Sequence, residues 1–97
     1  MVIEWLQFRV PVADQARYVA QDAAIWTVCL AAQPGFLGKE VWCAVDDATA
    51  LNLVIRWHSM AQWKAVPQTA LDAADAAFKA AMGTAFPVLG CVAYEVK

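Results

Sequence analysis

The stretch Val54–Gln68, VIRWHSMAQWKAVPQ, carries the only histidine of the chain, His58, between two of its five tryptophans, Trp57 and Trp63. An imidazole with an ordinary pKa of about 6.5 suits proton abstraction from a phenol or quinol, so His58 is the candidate general base. The plainer role is a strand-end ring that covers an indole or bonds to backbone. Strand alternation turns His58 away from Trp57, so the two are not expected to share a pocket. Tyr18 is the second catalytic candidate, as a hydrogen-bond donor to an oxygenated ring, and Tyr94 offers the same group. Trp26, Trp63, Phe78 and Met82 are the candidate pocket lining. Packed together, they would instead make an ordinary core.

Other chemistries lack their residues. The sequence holds no GxGxxG, P-loop, HExxH or CxxC, and no recognisable Ser/His/Asp set. Cys29, Cys43 and Cys91 read as small buried hydrophobes. With one histidine and no clustered cysteines, no zinc site is expected, and Asp46-Asp47 is too few oxygens for calcium. No metal and no cofactor are expected.

The chain has 97 residues, 62% hydrophobic and 16% charged, with a net charge of −2. That length suits a single domain over residues 1–97. A domain this small buries only about 60–65% of its unfolded surface. Some of its large apolar side chains must therefore stay at the surface, and a large apolar patch marks an interface or a ligand groove. Lys and Arg are scattered, so the basic patch that nucleic acid requires is missing. The apolar run Ala23–Ala32 is far below the roughly 20 residues that cross a bilayer, and no signal peptide is evident. A soluble, cytoplasmic protein is expected.

The elements that must position these side chains follow from pattern. Met1–Val10 reads as a strand, with Val2, Glu4, Leu6, Phe8 and Val10 on one face and Ile3, Trp5, Gln7 and Arg9 on the other. Asp14–Gln33 has helical period, with Val19, Ala23, Trp26 and Leu30 as its apolar stripe and Asp22 toward water. Pro34-Gly35 ends it. Phe36–Val45 and Ala50–His58 read as a hairpin around an Asp-rich turn. Ser59 with Gln62 fits a capping box for a short helix, about Met60–Val66, that stops at Pro67. On it Trp63 should turn inward. A second helix, about Thr69–Met82, should end at Gly83, and Val88–Val96 reads as a last strand. Glu4, Arg9, Glu40, Arg56 and Glu95 could pair as a ladder across strands, and a buried indole N–H could find its acceptor in Glu4 or Gln7.

The order β-α-β-β-α-β is the ferredoxin-like α+β plan, a four-stranded antiparallel sheet with both helices on one face. The other face has nothing in the chain to cover it, which argues for a homodimer formed through the open sheet face. With VIEWLQFRV at the start, PGFLGKEVW after the first helix and VIRWHSMAQW at the strand-to-helix junction, the chain resembles the dimeric α+β barrel superfamily. Its nearest likeness there is the antibiotic-biosynthesis-monooxygenase-like (ABM-like) group, and within it small, largely cyanobacterial proteins. The resemblance implies a pocket between sheet and helices in each protomer. It also implies relatives that include cofactor-free oxygenases acting on polyphenols or quinols, and haem-degrading enzymes. The haem-degrading branch carries an Asn on the first strand, where VIEWLQF offers only Glu4 and Gln7. Two functions remain open: cofactor-free oxidation of a small electron-rich aromatic or quinol, and a non-catalytic dimer that binds a hydrophobic metabolite or a protein. An enclosed cavity with His58 or Tyr18 pointing in favours the first. A cavity filled by Trp26, Phe78 and Met82 favours the second.

Overall fold

The computed structural model describes residues 1–97. Strands β1 (Val2–Arg9), β2 (Phe36–Ala44), β3 (Asp47–Trp57) and β4 (Gly90–Glu95) form one antiparallel sheet in the order β2-β3-β1-β4. The helices lie on one face of it, so the ferredoxin-like α+β plan holds. Two core clusters sit between the layers. Phe8, Val10, Tyr18, Leu51, Leu53, Phe78 and Met82 make the first, and Leu30, Ile55, Trp57 and Val66 the second.

The first helix is α over Val12–Asp22 (α1), widens to π-helix over Ala23–Thr27, and returns to α over Val28–Ala31 (α2). The π segment corrects the expected apolar stripe. It inserts a residue, and each α-helical residue turns the chain by about 100°. The inward face upstream of Trp26 therefore falls on Asp22 and Tyr18, both buried, while Val19 and Ala23 face out.

The hairpin between β2 and β3 is tighter than the sequence reading, because pairing already resumes at Ala44 opposite Asp47. Asp47 accepts from the Thr49 N–H at 3.0 Å and the Thr49 hydroxyl at 2.7 Å, so the Asx turn forms inside the start of the strand. Ser59 caps α3 (Met60–Lys64) by accepting the Gln62 N–H at 3.2 Å. Helix α4 (Gln68–Met82) follows Pro67 and ends at Gly83 in the left-handed conformation, φ +74°. The cysteines depart from expectation. Cys43 and Cys91 are exposed because they lie on the two edge strands, and only Cys29 is half-buried.

On the open face, register aligns Ile3, Trp5 and Gln7 of β1 with Tyr94, Val92 and Gly90 of β4 and with Arg56, Val54 and Asn52 of β3. Trp42 is 47% exposed there, and Tyr94 51%. The charge ladder forms only in part. Arg56 pairs with Glu40, and Arg9 lies 3.5 Å from Asp47. Glu4 does not join it, because alternation puts Glu4 on the helix side of the sheet. No helix is long and apolar enough to cross a membrane.

Candidate functional site

Between the sheet and the helices lies a cavity of about 500 Å³, lined mostly by apolar and aromatic side chains. That is within the usual range for a small-molecule site. Leu6 and Phe8 of β1 with Leu53, Ile55 and Trp57 of β3 form its floor, and Tyr18, Trp26 and Leu30 of the first helix one wall. Trp63, Leu71, Phe78 and Phe86 complete the enclosure. The exposed residues Lys64, Gln68, Lys79 and Val88 mark where it meets solvent.

Of the sequence candidates, Tyr18, Trp26, Trp63 and Phe78 line this cavity together. Met82 does not. It is buried in the core beside Phe78, one helical turn further on, where it packs with Tyr18. His58 stands elsewhere. It is exposed, just past the end of β3, beside a separate shallow hollow formed with Met1, Val2, Ser59, Met60 and residues 93–95. Its backbone N–H donates to the Gly35 carbonyl at 2.8 Å. The cause is the alternation that buries Trp57 and so turns the next residue outward.

Tyr18 is held rigidly. Phe78 and Phe86 meet its ring edge-on, with centroids 5.1 and 5.3 Å away. Its hydroxyl has no partner within the chain. Burial, reinforced by the negative charge of Asp22, pushes its pKa well above the ordinary phenol value. Tyr18 therefore remains a neutral O–H donor at physiological pH.

Two charged side chains reach the floor, and the sequence reading singled out neither as a site residue. Glu4 pairs in register with Ile55, and Ile55 pairs with Lys39 on its other side. Glu4 Oε1 accepts the Trp57 indole N–H at 3.1 Å. Burial raises the Glu4 pKa above the usual carboxylate value, against the opposing pull of the Trp57 hydrogen bond and the charges of Lys64 and Lys39. Lys39 Nζ donates to Asp22 Oδ2 at 2.6 Å and to Thr27 Oγ1 at 3.2 Å. Both side chains of the Lys39–Asp22 pair are 3% exposed. Asp22 has a raised pKa, because desolvation outweighs the field and the hydrogen bond of Lys39. Its second oxygen, Oδ1, is buried without a hydrogen-bond partner.

The arrangement can hold a flat aromatic molecule against indole and phenyl walls, donate a hydrogen bond from Tyr18, and meet ligand oxygens with a carboxylate and an ammonium. It brings together no group of three or more metal-ligating side chains. No protein-family model and no curated relative matches the chain. Solved structures do. A Bordetella bronchiseptica protein described as an antibiotic biosynthesis monooxygenase superimposes with a TM-score of 0.76 at 14% identity, over 99% of this chain and 96% of that one. SnoaB, a cofactor-independent oxygenase from Streptomyces nogalater, gives 0.71 at 13% identity, over 99% and 92%. The monooxygenase ActVA-Orf6 of Streptomyces coelicolor, solved with nanaomycin D, gives 0.70 at 19% identity, over 99% and 87%. At these identities the likeness is one of fold, and the fold is that of the ABM-like structures.

Proposed function

We propose that this protein is a cofactor-free oxygenase that takes a small, electron-rich aromatic or quinol into the cavity between sheet and helices. The observation that carries the reading is the aromatic-walled cavity of about 500 Å³ with the unpartnered Tyr18 hydroxyl on its wall. The shared fold with SnoaB and ActVA-Orf6 supports it. In the reaction, a phenol loses its proton and the phenolate passes one electron to O₂. The resulting radical pair joins at a ring carbon as a hydroperoxide, which loses water to leave a quinone. One phenol or quinol with a free ortho or para C–H and one O₂ thus become one quinone and one water. The cavity's part is to orient the ring and exclude bulk water. Tyr18 would hold a ring oxygen by donation.

The same reading takes residues 1–97 as one ABM-like domain, near the small cyanobacterial-type members of that group, at work in the cytoplasm. It also has a second copy covering the open sheet face, where Trp42, Val92 and Tyr94 are exposed. The rival reading, a non-catalytic dimer that binds a hydrophobic metabolite or a protein, is favoured by the exposure of His58, the one imidazole, away from the cavity.

Oxygen uptake in the presence of a chelator, with a panel of naphthols and hydroquinones, tests the choice. Uptake above the protein-free rate, lowered at least tenfold by Tyr18→Phe and unchanged by His58→Ala, is the expected result. Saturable binding without uptake would favour the rival, and loss of activity in His58→Ala would move the site to the other hollow.

A further inference from the structure

Resting on that reading of the cavity, we propose that Glu4 is its proton acceptor and Lys39 the charge whose field stabilises the anion formed, so that the ligand is an aromatic with an ionisable O–H. The argument begins with register. Glu4, Ile55 and Lys39 form one row across three neighbouring strands. With strands about 4.8 Å apart, the two outer Cα atoms stand about 10 Å from each other with the Ile55 side chain between them. A single aromatic ring lying over Ile55 spans the space between a carboxylate and an ammonium.

Each charged group is fixed from behind and free in front. The Trp57 indole engages Oε1 of Glu4, and Oε2 has no partner in the chain. Lys39 spends two of its three N–H bonds on Asp22 and Thr27, and the third has no protein partner. The other charged side chains on the cavity are Lys64, Asp75 and Lys79, on α3 and α4. Lys79 is tied to Asp75 at 2.8 Å, and Lys64 lies over the Trp63 ring at 4.2 Å. The phenolic proton moves to Glu4 Oε2, which becomes a neutral acid, and the negative charge left on the ring oxygen spreads by resonance to the ortho and para positions, where the field of Lys39 across the ring stabilises it. Total charge in the cavity is conserved. Burial of Glu4 brings its proton affinity closer to that of a phenol, which lowers the cost of the transfer.

The probe is 4-nitrophenol, whose phenolate absorbs visibly, titrated with the intact protein about one pH unit below the free dye's own pKa. Bound to the wild type, it should show the phenolate band at several times the intensity of free dye at that pH. Glu4→Gln keeps an oxygen for the Trp57 N–H but cannot take a proton, so each phenolate formed in it should release about one proton to a weakly buffered solution, where the wild type keeps the proton and releases almost none. Lys39→Met should reduce the phenolate band severalfold, and Glu4→Asp should restore part of the proton retention lost in Glu4→Gln. Circular dichroism confirms that each variant is folded. Equal proton release by wild type and Glu4→Gln overturns the assignment of Glu4. Dye that binds the wild type only in its neutral form overturns it too, while leaving the oxygenase reading standing. Failure of dye and naphthols alike to bind sinks both.

Discussion

Replacing Lys39 with Met removes the only partner of a buried carboxylate. Lys39 and Asp22 are both 3% exposed and 2.6 Å apart, and Asp22 Oδ1 already lacks a hydrogen bond. Breaking one side of such a pair typically costs about 3–5 kcal/mol, because the remaining charge is left unpaired in a poor dielectric. The structure sets a ceiling on the electrostatic part. Asp22 can escape by taking a proton, and from its ordinary value of 3.8 this costs about 4 kcal/mol at pH 7, at about 1.4 kcal/mol per unit. At pH 5 the same escape costs under about 2 kcal/mol. The sign follows from linkage. A carboxyl whose folded pKa lies above its unfolded value binds more protons when folded, so stability falls as pH rises through that window. Lys39→Met removes the interaction that lowers the Asp22 pKa, extending the window upward. Urea denaturation should therefore show a loss of about 3–4 kcal/mol at pH 7, shrinking by about half at pH 5. For a domain this size the neutral-pH loss is roughly 15–25 °C in thermal midpoint. Glu4 also feels Lys39, so the comparison is repeated in a Glu4→Gln background. The double variant Asp22→Leu/Lys39→Met should recover most of the loss. A pH-independent penalty, or one below about 1 kcal/mol, would refute the reasoning.

Gly35→Ala should destabilise by more than about 2 kcal/mol in the same urea assay, because a Cβ there meets Gln62 Cβ at 2.6 Å and φ is +90°. A loss below about 0.5 kcal/mol would mean that the Gln62 side chain moves aside freely. Glu4→Gln should be more stable than wild type above neutral pH. The raised Glu4 pKa makes the wild type lose stability as pH climbs from about the unfolded carboxylate value through the folded one, and Gln has no such slope. Parallel pH profiles of the two thermal midpoints would contradict this.

The fold was legible because its signals are local. Alternation in β1, the Pro34-Gly35 stop, the Ser59 cap and the Gly83 terminator each act within a few residues, and together they set the β-α-β-β-α-β order. The aromatic lining of the cavity was legible for the same reason. Tyr18, Trp26, Trp63 and Phe78 are large aromatics on helices that must face the sheet. The charged half was hidden by two phase breaks. A π segment moves Asp22 from the expected solvent face to the interior. In β2, a register shift between Phe36 and Gly38 puts Phe36 and Lys39 on the same side, although simple alternation separates them. The π segment has no marker in the residue pattern, whereas Gly38, a glycine inside a strand, marks the β2 irregularity. Glu4 could have been found, because it falls on an otherwise apolar strand face and a buried indole needs an acceptor. His58 lies outside the cavity because the alternation that buries Trp57 turns it outward, as the strand pattern already implied.

Stability alone does not account for the charged floor. Only 16% of this chain is charged, yet Glu4, Asp22 and Lys39 all sit on the helix side of the sheet. Apolar residues of similar volume would fill that space at equal or lower free energy. The raised pKa of each carboxyl shows that burial costs more than the partners return. A small domain that buries limited area has little stability to spare for such groups. Breaches of packing logic concentrate at functional sites, and here Glu4 and Lys39 line one cavity while Asp22 holds Lys39 from behind. The two phase breaks fit the same reasoning, since without the π segment and the β2 irregularity Asp22 and Lys39 would point to water as separate surface charges. Backbone irregularity and buried charge are therefore one feature, and it holds Lys39 on the far side of Ile55 from Glu4.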